Sequence, residues 1–116
     1  MAIRQTVTVL LFEQFELLDA LGPLHMFGLL PEHYQLQIIT TDGKHVTSTQ
    51  GVSLQPMLSF NDEISAGILI IPGGVGIRFA THNKDILKWL KKNCTTAAYC
   101  LFDFNRCCFT CQRWLT

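Results

Sequence analysis

The sequence predicts an α/β domain built on a doubly wound, mostly parallel sheet. Three observations predict it. The run Ile68-Leu-Ile-Ile-Pro-Gly-Gly-Val-Gly76 is continuously apolar and stops at a proline and two glycines; such a run reads as a strand buried on both faces. Strand-like and helix-like segments alternate along the chain as β-α-β-hairpin-β-α-β, the order of a sheet covered by helices. Finally, 116 residues with 48% hydrophobic and 16% charged residues suit one packed domain and argue against disorder.

Residues 6–12 are β-branched and aliphatic and predict the first buried strand. Glu13 and Gln14 mark a turn. Leu17, Leu18, Leu21, Leu24 and Phe27 recur with mainly helical spacing. Pro23 falls among them; a proline is tolerated in a first turn, so this helix is expected to bend or to begin close to Gly22. Residues 34–40 alternate as a second strand, and Asp42-Gly43 signals a tight turn. Residues 46–49 and 52–55, parted by Gln50-Gly51, predict a small hairpin. Asn61 is a candidate helix cap in the loop at 60–63. After the Ile68 strand, residues 77–82 suit a helical turn or two. Residues 83–92 form an amphipathic helix, with Ile86, Leu87 and Leu90 on one face, Asn83 as N-cap and lysines favouring its C-terminal end. Residues 95–100 read as the next strand.

The charge balance excludes several functions. Nine basic residues meet nine acidic ones, which leaves no footprint for direct nucleic-acid binding and no anchor for an anionic membrane. The first apolar run is too short for a membrane span and lacks a signal-peptide cleavage pattern, so a cytoplasmic location is expected. Of five cysteines, Cys100, Cys107, Cys108 and Cys111 crowd the last 17 residues and Cys94 stands apart. In the cytosol this spacing does not suggest a disulfide framework. Cys108-Phe-Thr-Cys111 lacks two further ligands at zinc spacing, since Cys107 and His25, His33, His45 and His82 are not so placed. No metal is expected.

Open parallel sheets do their chemistry at the carboxyl ends of strands, and Gly73-Gly74 lies at such an end. Taken alone, Asp19 reads equally as a helix-start carboxylate or as a group reaching that end. Gly74 reads as a turn glycine, Arg78 as a solvated charge, His82 as an exposed loop histidine, and Cys100 as a small buried hydrophobe.

Four stretches resemble the ThiJ/PfpI family of class I glutamine amidotransferase-like proteins. They are Val7-Thr-Val-Leu-Leu-Phe12, Leu18-Asp-Ala-Leu-Gly-Pro-Leu-His-Met-Phe27, Leu69-Ile-Ile-Pro-Gly-Gly-Val-Gly-Ile-Arg78 and Ile86-Leu-Lys-Trp-Leu90. The resemblance runs from about Thr6 to about Ala98. It is nearest the isonitrile hydratase-like branch and the related ligand-sensing, amidase-like domains that begin some AraC-type transcription regulators. It implies a flavodoxin-like fold, a homodimer, a small-molecule substrate and no cofactor. It also implies a catalytic cysteine, placed at Cys100, after the strand that begins near Thr95. Asp19 would face that cysteine, and the backbone amide of Gly74, beside Gly73, would lie near it. Physical chemistry suits those roles. A thiolate attacks where a thiol does not, a backbone amide holds charge as it develops, and a carboxyl moves a proton.

The pattern breaks near the end. Residues 1–98 correspond to the N-terminal part of such a domain, and residues 99–116 form an atypical tail. The family continues with Val-Cys-Thr-Gly or similar and then an alanine-rich helix. This chain continues Tyr99-Cys-Leu-Phe-Asp-Phe-Asn-Arg-Cys-Cys-Phe-Thr-Cys-Gln-Arg-Trp-Leu-Thr116. Codons for these residues read one nucleotide later permit a strand, a cysteine elbow and a helix ending in Ala-Gly-Leu. The expectation is therefore a frame-shifted, truncated relative of a cysteine-dependent hydratase or hydrolase, inactive in this form. The alternative is the sensing domain of an AraC-type regulator.

Overall fold

The computed structural model describes residues 4–64, 67–76, 80, 82–97 and 99–102, with backbone alone at 96 and 99–102. The elements are β1 (Gln5–Leu10), α1 (Leu17–Gly28), β2 (Tyr34–Thr40), β3 (Val46–Thr47), β4 (Ser53–Leu54), β5 (Leu58–Ser59), β6 (Ile68–Ile71), α2 (Lys84–Thr96) and β7 (Tyr99–Phe102).

Five strands form one sheet in the order β5-β2-β1-β6-β7, and every pairing in it is parallel. β3 and β4 pair antiparallel as a separate hairpin. From β1 the chain crosses by α1 to β2 on one side; from β6 it crosses by α2 to β7 on the other. Right-handed crossovers in opposite directions put α1 and α2 on opposite faces. The doubly wound, mostly parallel α/β sheet expected from the sequence is the architecture found. The order reverses between β1 and β6, the switch point where ligands of such sheets bind.

Burial follows from that position. Val7, Val9 and Leu10 of β1 and Leu69 of β6 are fully buried, and Ile68, Ile70 and Ile71 nearly so. A strand covered on both faces has no solvent side, hence its unbroken apolar run. Thr8, fully buried in β1, places its hydroxyl 3.3 Å from Gln37 Oε1, which offsets the cost of burying a polar group. On α2 the buried positions are Ile86, Trp89, Leu90, Asn93 and Cys94, one stripe at helical spacing. Trp89 stacks on Phe60 with centroids 4.8 Å apart.

Several boundaries differ from the sequence reading. α1 starts at Leu17 and carries Pro23 in its interior. Proline removes the bond its own N–H would donate to Asp19 C=O and its ring crowds that carbonyl; burial of Ala20 and Leu24 on the same helix offsets that cost. The second helix runs on to Thr96, so Thr95 is helical and β7 begins at Tyr99. The lysines therefore sit a turn back from the C-terminus, and no basic residue occupies the last turn. Asn83 does cap α2, its side chain accepting from Asp85 N at 2.9 Å and Ile86 N at 3.3 Å. The turn after β5 is held by Asp62, which accepts from Ser59 N at 2.9 Å; no helix described there uses Asn61 as cap. The readings at Arg78, Cys107, Cys108, Cys111 and most of the atypical tail fall outside the described residues.

Candidate functional site

The site is built from two loops that meet at the switch point. One follows β1 and leads into α1 through residues 11–16. The other follows β6 and contains Pro72, Gly73, Gly74 and Gly76. Three hydrogen bonds lace them together. Glu16 N donates to Gly73 O at 2.8 Å and Gly76 N donates to Gln14 O at 3.1 Å. Gly73 N donates to the Asp19 carboxylate at 3.2 Å. Asp19 is half-buried in the first turn of α1, where the helix dipole favours negative charge.

The glycines are required by this approach. Gly74 has φ +120°, and a Cβ there would stand 2.6 Å from both Gln14 O and Glu16 N. A Cβ on Gly76 would overlap Glu13 O. Only a residue with no side chain lets the two backbones touch. Gln14 adapts from the other side, with φ +64°.

A second layer braces the β1 loop. Gln14 N donates to Thr47 O at 2.8 Å, and Thr49 N donates to Phe15 O at 2.9 Å. Thr49 Oγ1 donates to Gln14 O at 3.0 Å. The β3–β4 hairpin is thus a wall of the site. Sequence reasoning found the hairpin and missed its role, because the partners lie more than thirty residues apart and no local pattern links them.

The structure brings Asp19, Gly73 and Gly74 together. It does not bring Cys100 level with them. In the β6–β7 register Cys100 pairs with Leu69 and Phe102 with Ile71. Gly73 lies beyond the end of β6, so the backbone of Cys100 stands roughly 13 Å back along the strand at about 3.3 Å per residue. The strand positions level with Gly73 fall past Phe102, outside the described residues. Cys94 is buried on α2 and disulfide-bonded.

A crevice of about 600 Å³ opens on the same edge, over the ends of β1 and β2, with Glu13, Gln14, His45 and Gly76 in its wall. A larger cavity, about 790 Å³, lies between α2 and the 60–64 loop and shares no residue with the laced loops. Among the described residues no group of three His, Cys, Asp or Glu is placed to hold a metal ion. No described helix is long and apolar enough to cross a membrane.

Residues 5–100 match the model of the DJ-1/PfpI family. The chain belongs to that family. It is 30% identical over 90 residues to an isonitrile hydratase of Pseudomonas putida, an alignment covering 78% of this chain and 39% of that protein. Among solved structures it resembles a ThiJ/PfpI family protein from Pseudomonas syringae, with a TM-score of 0.80 at 23% identity over 87% of this chain and 42% of that one. Drosophila melanogaster DJ-1beta gives a TM-score of 0.72 at 13% identity, covering 86% and 55%. These likenesses show the shared flavodoxin-like fold. The chain spans about two-fifths of the length of the isonitrile hydratase and of the Pseudomonas syringae protein.

Proposed function

We propose that the laced loops are part of a small-molecule site of the isonitrile hydratase type. The observation that carries this reading is the 3.2 Å bond from the Gly73 amide to the Asp19 carboxylate at the switch point. It holds a proton-transfer group beside a backbone that can meet a polar carbon.

The reaction assigned to such a site is cysteine-dependent hydration. A thiolate adds to the terminal carbon of an isonitrile, and Asp19 passes a proton to that carbon. Water then adds, losing a proton to Asp19. The remaining hydroxyl proton moves to nitrogen, the sulfur leaves as thiolate, and an N-substituted formamide is released with Asp19 protonated again. Charge developing on the substrate is held by the Gly74 amide. Cys100 is the sulfur offered by the sequence. At its present register it falls short of Gly73, so this chain is expected to bind the substrate class without turning it over.

Two measurements test this. Adding an alkyl isonitrile, or its N-formamide, to isotopically labelled protein is expected to shift the amide resonances of Gly73 and Gly74. Unmoved resonances would overturn the assignment of the site. Formamide production is expected to stay at the uncatalysed rate; turnover that disappears in Cys100→Ala would show that the sulfur does reach the loops.

The register of Cys100 also favours a second reading, the ligand-sensing domain of an AraC-type regulator, which needs binding without chemistry. A helix-turn-helix pattern in the coding sequence downstream would select it over a stand-alone enzyme.

The same reading includes a homodimer. Leu18 and Met26 stand exposed on α1, with Leu29 and Leu30 just beyond its end, and an apolar face of this kind suits a second copy of the chain.

A further inference from the structure

We infer that Gln50, at the tip of the β3–β4 hairpin, is a positioning residue for Asp19 and caps α1 from outside the helix. The first N–H groups of a helix have no partner within it. Glu16, at the N-cap of α1, makes no side-chain cap hydrogen bond. The missing acceptor arrives from 33 residues away: Gln50 Oε1 accepts from Leu17 N at 3.2 Å. The other end of the same amide, Nε2, donates to Glu16 Oε1 at 2.7 Å.

One side chain therefore partners the first N–H of α1 and holds the carboxylate that sits where a cap would be. That turn carries Asp19. Its carboxylate reaches across to the Gly73 amide, while Glu16 N is spent on Gly73 O. By fixing the start of the helix, Gln50 sets where the first turn holds Asp19 relative to the Gly73 amide. Thr49 on Gln14 and Phe15 fixes the hairpin that presents Gln50.

The chain Gln50–α1 first turn–Asp19–Gly73 deepens the site proposed above and rests on that reading only for its purpose. Its test uses no substrate, so it stands or falls apart from the hydratase assignment. The test is amide hydrogen exchange followed by NMR on the 116-residue protein. In Gln50→Ala, exchange at Leu17 and at Gly73 is expected to quicken together by about fivefold, the size of a lost cap. In Gln50→Glu combined with Glu16→Gln, which keeps the acceptor for Leu17 N and reverses the side-chain bond so that residue 16 donates, Gly73 is expected to remain protected. Asn83 N-caps the other helix, so the amides of Asp85 and Ile86 report whether a variant has loosened the whole fold. Faster exchange at Leu17 with Gly73 unchanged in Gln50→Ala would overturn the coupling. So would loss of Gly73 protection in the Gln50→Glu, Glu16→Gln pair equal to that in Gln50→Ala. Equal quickening at Asp85 and Ile86 would also overturn it, by showing global loosening in place of a directed effect.

Discussion

At Gly22, Gly74 and Gly76 the addition of one methyl group separates packing from propensity. Apart from its chain neighbours and the helix backbone, nothing lies within 4 Å of a Cβ built on Gly22, and Gly22 is inside α1. Pro23 follows it, and the proline ring crowds a Cβ on a preceding helical residue, so Gly22→Ala is expected to fall short of the helix-propensity gain of about 1 kcal/mol and to leave the urea midpoint nearly unchanged. Gly76→Ala drives a methyl onto Glu13 O, and Gly74→Ala adds a left-handed φ to a 2.6 Å contact. Each is expected to cost about 3 kcal/mol or more, among the larger effects of a single substitution, with the urea midpoint falling accordingly. At Asp19 the two replacements should part. Asp19→Asn keeps an oxygen for the Gly73 amide and should leave stability within about 1 kcal/mol. Asp19→Ala removes a charged acceptor and should cost about 2 kcal/mol in the same urea titration. Equal losses in both would show that the charge itself holds the loops together.

The helices differ in how they are held, and the difference can be measured. α2 is capped by its own Asn83, so Asn83→Ala is expected to cost about 1 kcal/mol, visible as a thermal midpoint lower by a few degrees. Its buried stripe was legible in the sequence because Ile86, Leu87 and Leu90 alternate with lysines at helical spacing. Its end was not, because Thr95 and Thr96 favour strands by composition while Asn93 and Cys94 are buried and carry the stripe one turn further. Tertiary burial overrode local preference there. β6 was legible for the opposite reason: four successive buried aliphatic residues leave no alternative. β5 could not be read, since a two-residue strand defined by pairing Leu58 to Ile39 and Ser59 to Thr40 has no period of its own. The same holds for the site. Asp19 and the glycines stood out by type and spacing. Gln14, Thr49 and Gln50 did not, because what matters in them is a contact with residues distant in sequence. Cys100 stood out by type, yet its level on the sheet is fixed by register, which sequence does not print.

Across the whole molecule two surfaces compete to hold a second copy, and each predicts a different response. α1 presents Leu18 at 75% and Met26 at 59% exposure. Among the described residues β7 pairs with β6 on one side and with no strand on the other. A strand edge with open N–H and C=O groups is a template for further pairing; β7 against β7 of a second copy closes at two, as a twofold contact between helices does, whereas β7 against the opposite edge of the next copy propagates. The 116-residue chain is therefore expected to self-associate in sedimentation velocity at micromolar concentration, and a sharply melting monomer would contradict both surfaces. Met26→Lys and Leu18→Lys decide between them. Each places a charge on the exposed α1 face and leaves the buried Ala20 and Leu24 untouched. If α1 makes the contact, a discrete dimer of the unaltered chain becomes a monomer in either variant. If the sheet edge makes it, self-association persists in both variants, and a homodimer through α1 is ruled out.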